Sequence, residues 1–324
     1  MKNFLTNLFR FLGFFLPVYC VYLFVWGQFM PAPINKNLNY RIGSTGHMYS
    51  RIKDVKNFDG VDILFIGSSL SYRGFDTRIF SKRNISSFNL GSSSQSPIQT
   101  EILLHRYMEG LNPKLVVFEV FPDTFESDGV ESSVDLIAND RIGLDTVKMA
   151  LTVNHLKTYN TLLYGLFRQI LRLNEGFNEE RKCKTTRDTY ISGGFVEKDV
   201  DYHAVAVSIP GLVIKSRKME FNKKQLAAFH RCLQFVKRRN LPYVLVQAPI
   251  TADLYKSRQN NREIDEYFHS LGVYYNFNGL LQLNDSEHYF DVHHLNRIGV
   301  ELLDAKLIML LRQDGFLPRQ ESSK

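Results

Sequence analysis

Between Phe11 and Met30 the chain reads FLGFFLPVYCVYLFVWGQFM, twenty consecutive residues without a charge. As a helix such a run spans about 30 Å, the thickness of a bilayer's hydrocarbon layer. It has no polar face to turn toward water, so it does not read as an ordinary buried helix of a soluble domain. Pro17 would break a soluble helix but is tolerated in a membrane helix, while Tyr22, Trp26 and Gln28 suit a membrane–water interface. A cleaved signal peptide, the rival reading, has a shorter apolar core that ends in small residues, and Phe29-Met30-Pro31 offers no such end. The expectation is an uncleaved single-pass anchor. Lys2 and Arg10 favour a cytoplasmic N-terminus with everything after about Pro31 outside, although Lys36 and Arg41 on the far side make the charge bias modest.

Beyond a polar connector containing Asn35, Lys36, Asn37 and Asn39, the pattern changes to short apolar runs that end in turns. Val61 to Gly67 reads as a buried strand, followed by Ser87 to Leu90 and Lys114 to Phe121. Between the last two, Pro97 to Gly110 has helical spacing, with Ser96 as N-cap and Pro97 at the first helical position. The alternation resumes with a helix from about Asn222 to Arg239, a strand from Pro242 to Gln247, a helix near Arg262 to Leu271, a strand from Val273 to Asn276 and a last helix from near Asn296. Strands alternating with helices predict a mainly parallel sheet covered on both faces, with sites at the C-terminal ends of the strands. Residues 124–217 do not follow the pattern. They read as a mainly helical insertion with one long helix from Asp145 to Leu173 and a turn at Gly193-Gly194, serving either as a solvated cap or as a substrate-binding lid. The expected division is an anchor at 1–31, a connector at 32–60 and an α/β domain at 61–324 that carries the insertion.

The 44% apolar content of the 324 residues is ample for one such core. A net charge of +7 favours anionic partners such as acidic glycans or anionic lipid. No zinc-finger spacing, RNP-like strand or long basic helix accompanies that charge, which sets nucleic acid aside. Cys20, Cys183 and Cys232 are too few for a disulfide scaffold or a cysteine zinc site; Cys183 and Cys232 are either bridged or free.

Two constellations carry chemistry. In Ile66-Gly67-Ser68-Ser69-Leu70-Ser71 a strand stops at a glycine and presents serines on a constrained turn, the geometry a nucleophilic hydroxyl and its oxyanion donors require. In Asp291-Val292-His293-His294-Leu295-Asn296 a carboxylate precedes a histidine by three residues, so one helical turn would place both on one face. A serine near neutral pH needs such a histidine to take its proton, and the histidine needs the carboxylate to orient it. His293 is the rival base, while the Asp-x-x-His spacing selects His294. His288 and His293 are further candidates for substrate contact. Arg73 and Asp76 either pair to stiffen the turn or, for Arg73, meet substrate. His288, His293, His294 and Asp291 also have the donor types of a zinc site, a reading that the strand-end serine displaces. No metal or other cofactor is expected.

Taken together, these residues resemble the SGNH, or GDSL-like, hydrolase superfamily. ILFIGSSLS corresponds to its first block, FNLGSSSQ to its second and DVHHLN to its closing Asp-x-x-His block, in the family's order, over about Asp62 to Leu310 without the insertion. The resemblance implies a flavodoxin-like three-layer α/β/α fold with Ser69 as nucleophile, His294 as base, Asp291 as its partner, and the backbone N–H groups of Ser69 and Gly91 as oxyanion donors. Two positions depart from the family. Ser68 replaces the aspartate of Gly-Asp-Ser, a change found in members related to envelope acyl transfer. Glu119-Val120-Phe121-Pro122-Asp123 follows the third strand where the family has an oxyanion asparagine. With the anchor, the chain is similar to SGNH proteins that assist alginate O-acetylation or D-alanyl transfer, which implies an extracytoplasmic site, an O-acylated envelope polysaccharide as substrate and a membrane-bound O-acyltransferase as partner. The other reading is a non-catalytic glycan-binding or assembly protein on the same fold.

Overall fold

The computed structural model describes residues 2–31, 34, 38, 42–43, 46–199 and 214–319. Asn35, Lys36, Asn37, Asn39 and Arg41 lie outside the described residues. The chain divides into two compact units, Met1–Ile42 with Ser133–Asn178, and Gly43–Ser132 with Glu179–Lys324.

The strands belong to the second unit. They are β1 (Ile63–Ile66), β2 (Ser87–Asn89), β3 (Leu115–Glu119), β4 (Lys182–Cys183), β5 (Asp188–Ile191), β6 (Phe195–Lys198), β7 (Tyr243–Gln247) and β8 (Tyr274–Asn276). Five form one parallel sheet in the order β2-β1-β3-β7-β8, which is the 2-1-3-4-5 order of a flavodoxin-like doubly wound fold. The strands are mainly apolar because both faces of the sheet are covered, and Asn89, Glu119, Gln247 and Asn276 stand at the C-terminal ends of β2, β3, β7 and β8. On one face Ile63, Phe65, Leu115, Val117, Val244 and Val246 pack with Phe75, Phe80, Leu303 and Leu307, the last two from the C-terminal helix Arg297–Gln313. On the other, the helices Pro97–Leu111 and Lys223–Lys237 pack on each other, and Phe118 meets Phe229 edge to face at 5.7 Å. The expected three-layer α/β/α architecture is thus the one observed.

Several local expectations are corrected. The third strand ends at Glu119 because Pro122 opens a short helix, Pro122–Glu126, and the preceding Phe121 is held extended. The part of the connector that is described is structured. It forms the helix Met48–Asp54, in which Arg51 is fully buried and donates to the Gly194 carbonyl at 2.9 and 3.1 Å. The irregular segment is not helical throughout, since β4, β5 and β6 make an antiparallel three-stranded sheet. Its β5–β6 turn needs glycine at Gly194, where φ is +94° and a Cβ would lie 2.1 Å from the Asn89 carbonyl oxygen.

The first unit contains the helix Lys2–Phe29, one helix long and apolar enough to cross a membrane. Pro17 lies inside it without ending it. The single helix expected from Asp145 to Leu173 is two, Leu144–Val153 and Leu156–Ile170, because Asn154 adopts the left-handed conformation at φ 55° and His155 is extended and caps the second helix. Cys20, Cys183 and Cys232 are all free thiols.

Phe118 is 1% exposed at the centre of its layer. Phe118→Ala is expected to lower unfolding stability by about 3–5 kcal/mol, read from the denaturant midpoint, because the cavity lies between two rigid layers.

Candidate active site

β1 delivers the serine turn to the C-terminal edge of the sheet. Gly67 is required there by close approach, since a Cβ at this position would lie 2.6 Å from that of Glu119. Ser68 caps the short helix Ser69–Gly74, its hydroxyl accepting from the Leu70 N–H at 3.2 Å. The same hydroxyl donates to Glu119 Oε2 at 2.7 Å, and the Ser68 N–H donates to that oxygen at 2.9 Å. Ser69 is the first residue of the helix, where an N–H has no intrahelical acceptor. A second clamp comes from β2. Asn89 is wholly buried, accepts from Ser71 Oγ at 3.0 Å and donates through Nδ2 to the Ser71 carbonyl at 2.8 Å.

The histidine arrives from the loop before the C-terminal helix. Residues 291–294 form a bend rather than the helical turn expected of them. Asp291 shapes the bend: its Oδ1 accepts the backbone N–H groups of His293 and His294, each at 2.8 Å. Its Oδ2 lies 2.8 Å from His294 Nδ1, and His294 Nε2 lies 2.8 Å from Ser69 Oγ. Phe290 stacks on the His294 ring at 5.4 Å and 9°, while its N–H donates to the His294 carbonyl at 3.0 Å. Asn296 caps the following helix through Gly299 and donates to the Glu287 carbonyl at 2.7 Å, closing the loop from behind. The structure therefore brings Ser69, His294 and Asp291 into one hydrogen-bonded row. With Asp291 accepting at Nδ1–H, the imidazole presents its Nε2 lone pair to the hydroxyl, the arrangement of a general base and its nucleophile.

Charge in this row is strongly biased. Burial disfavours the Asp291 carboxylate, but the hydrogen bond and positive charge of His294 and the two backbone donors outweigh it and push the group down to about 2. Glu119 goes the other way: complete burial pushes it up to about 7, more than the two Ser68 hydrogen bonds and the Arg258 charge pull it down. Its Oε1 and Arg258 Nη1 are both buried without a hydrogen-bond partner among the described residues.

The remaining candidates occupy other positions. His293 does not face Ser69; its ring meets Phe121 edge-on at 5.8 Å, and burial, followed by the nearby His294, lowers its proton affinity. Arg73 does not pair with Asp76. It makes a two-pronged ion pair with Asp188 of β5, both contacts at 2.9 Å, while Asp76 binds Arg78 and caps the helix Thr77–Ser81. His288 is half-buried, and its Nδ1 accepts the Asn284 N–H at 2.9 Å. The Gly91 N–H is already engaged by Asn89 Oδ1 at 3.0 Å. Where the resemblance leads one to look for an asparagine after β3, Glu119-Val120-Phe121-Pro122-Asp123 offers none, and the Arg258 guanidinium lies over the Phe121 ring at 4.9 Å. Among the described residues no group of three or more His, Cys, Asp or Glu side chains is arranged to hold a metal ion. Sequence reasoning missed Phe290, which no motif marks, and Glu119 as the residue beneath the turn, signalled only by an acid at the end of an apolar strand.

No protein-family model and no curated protein matches the chain. Solved structures similar to it include a GDSL-like lipase from Bacteroides thetaiotaomicron, 8% identical with a TM-score of 0.40, covering 83% of this chain and 98% of that one. Another is an inferred acylhydrolase from Bacteroides fragilis, 8% identical with a TM-score of 0.38, covering 82% and 94%. Likeness at this level adds nothing to the strand order and side-chain geometry above, on which the fold and the site rest.

A carboxyl whose folded value lies above its unfolded one holds an extra proton in the folded state, so its contribution is complete below about 4.5 and is lost as pH rises through about 7. The unfolding midpoint of the protein should therefore fall relative to that of Glu119→Gln between pH 5 and pH 8. A gap between the two that does not change with pH would show that Glu119 does not titrate in this window.

Proposed function

We propose that the chain is an SGNH-type serine esterase or O-acyltransferase that acts on acyl esters, acetyl foremost, of a cell-envelope glycan. The observation that carries this reading is the unbroken row from Asp291 Oδ2 through His294 to Ser69 Oγ, with 2.8 Å at each junction. In the proposed reaction Ser69 Oγ attacks the ester carbonyl while His294 Nε2 takes its proton. The ionised Asp291 stabilises the imidazolium, which then protonates the departing alcohol and leaves an acyl group on Ser69. Water or a glycan hydroxyl, deprotonated by the same imidazole, attacks that acyl-enzyme and regenerates the serine. Hydrolysis and transfer share every step except the identity of this second nucleophile. The Ser69 N–H is the first oxyanion donor, and Gly91 supplies a second once its N–H turns from Asn89 to the oxyanion.

The apolar N-terminal helix supports a membrane-anchored protein, and the reading extends to an extracytoplasmic site served by a membrane-bound O-acyltransferase partner. A non-catalytic glycan-binding or assembly role on the same fold is favoured by two observations, the engagement of the Gly91 N–H and the lack of an asparagine after β3.

Turnover of an acetyl ester, with and without carbohydrate acceptors, separates these readings. Ser69→Ala is expected to reduce the rate by roughly a thousandfold or more with unchanged thermal unfolding. His294→Ala should be nearly as damaging, and the double variant scarcely worse than Ser69→Ala, because the two residues act as one unit. Acceptor-dependent acetylation identifies transfer. Full activity in a folded Ser69→Ala variant overturns the serine mechanism, and an inert wild-type protein supports the binding role.

A further inference from the structure

The anchor helix is bare along only part of its length. Residues 2–18 are exposed on every side, whereas from Tyr19 onward the helix Leu156–Ile170 packs against it. Tyr19 Oη donates to Asn160 Oδ1 at 2.6 Å, and Tyr164 Oη donates to Gln28 Oε1 at 2.9 Å. Phe24 meets Tyr164 and Phe167 at 6.1 and 5.4 Å. Gly27 permits this approach, since a Cβ there would lie 2.5 Å from the Tyr164 ring. At the start of that helix Leu156 and Asn160 line one hollow with Tyr19, Tyr22 and Trp26 of the anchor. The turn at Asn154 and His155, which joins Leu144–Val153 to Leu156–Ile170, therefore lies beside the Tyr19–Trp26 stretch.

That placement fixes a depth. Trp26 is the residue type that sits at headgroup level, and Tyr19 precedes it by seven residues, about 10 Å along the helix. Asn160 is bonded to Tyr19 and Leu156 lines the same hollow, so the start of the second helix lies within that stretch. Interfacial helices bury an apolar side about 5–10 Å below the headgroups, the same range. If the start of this helix stayed in water, water would have to reach Tyr19. The membrane span would then shrink to residues 2–18, with Arg10 at its midpoint, the costliest place for a guanidinium. On either side of the turn, apolar side chains face outward: Leu151 is 62% exposed and Leu156 58%. Its polar groups have answers suited to an interface. The Asn160 amide is bonded to Tyr19, the Lys157 N–H donates to His155 Nδ1 at 3.1 Å, and Lys148 and Lys157 have stems long enough to carry their charges up to lipid phosphates.

We propose that this turn is a second membrane contact, seated in the headgroup–acyl boundary of the leaflet at the C-terminal end of the anchor, with Leu151 and Leu156 in lipid. The proposal rests on the reading of Lys2–Phe29 as a membrane anchor. The test uses the full chain in phosphatidylcholine–phosphatidylglycerol vesicles, with Cys20→Ser and Cys183→Ser and the buried Cys232 retained. An environment-sensitive fluorophore is attached singly at Leu151→Cys, Leu156→Cys, Phe14→Cys or Lys218→Cys, and quenching by lipids nitroxide-labelled at shallow or deep positions is measured. The expected result is several-fold stronger quenching at 151 and 156 than at 218, greatest with the shallow label, and deep quenching at 14. Deep quenching at 14 with none at 151 and 156 overturns the second contact and leaves the anchor standing, whether water or another protein covers the turn. Absence of quenching at 14 as well overturns both. Both turn positions are exposed, so thermal unfolding identical to that of the parent is the check that each labelled chain is folded.

Discussion

One carboxylate organises the functional end of the sheet. Asp291 accepts two consecutive backbone N–H groups on one oxygen and the His294 ring on the other, so the same group that folds the loop also sets the tautomer and direction of the base. Its ionised form is strongly favoured, and an ion held by three donors resists rotation away from any one of them. The loop it shapes is fastened to the strand ends, with the Tyr289 hydroxyl donating to the Ile250 carbonyl at 3.0 Å and the Thr251 hydroxyl to the Val292 carbonyl at 3.0 Å. Ser69 lies 225 residues away in sequence, and only the rigid parallel sheet keeps its hydroxyl within 2.8 Å of His294. A small tilt of either loop would break the row, which is why so many of its hydrogen bonds serve placement alone.

On the serine side the corresponding part is Glu119. The family pattern has an aspartate where this chain has Ser68, and the structure gives a reason for the exchange. A carboxylate at position 68 would stand within hydrogen-bond distance of the buried Glu119, and two like charges in a dry site repel. Serine supplies two donors to Glu119 instead and still caps the helix that begins at Ser69. In this chain Ser68 and the acid at the end of β3 are thus matched to each other.

The features legible in the sequence were those set by local chemistry. Short apolar runs marked β1, β2, β3, β7 and β8, the first three ending at Gly67, Gly91 and Pro122, since a strand buried on both faces is mainly apolar. Their strand order came from the resemblance rather than from the runs themselves. The row of Ser69, His294 and Asp291 was legible because its members sit in short motifs at turns. What escaped depends on contacts distant in sequence. Strands β4 to β6 contain Lys182, Asp188, Glu197 and Lys198, a composition that reads as loop until Arg73 pairs with Asp188 and Arg78 with Glu197. The break at Asn154 was hidden because Val153 and Leu156 keep an i, i+3 apolar spacing across it. Asp291 and His294 do share a direction, but through backbone hydrogen bonds to the carboxylate rather than through a helical turn, a distinction their spacing does not encode.

The engaged N–H of Gly91 bears on whether the site can stabilise an oxyanion. Its present acceptor, Asn89 Oδ1, is a neutral amide oxygen that also accepts from Ser71 Oγ, so Asn89 would remain bonded if the Gly91 donor turned away. A hydrogen bond to a developing oxyanion is charge-assisted and roughly twice as strong as one to a neutral amide. In the proposed reaction the exchange would favour the transition state over the ground state, because an ester carbonyl in the ground state has no full charge with which to compete. Such a donor contributes little to substrate binding and more to the barrier, which is the condition for raising turnover rather than affinity. The absence of a side chain at position 91 suits this close packing, since a Cβ there would lie 3.0 Å from both the Ser68 carbonyl oxygen and Ser71 Cβ and would press on the serine turn.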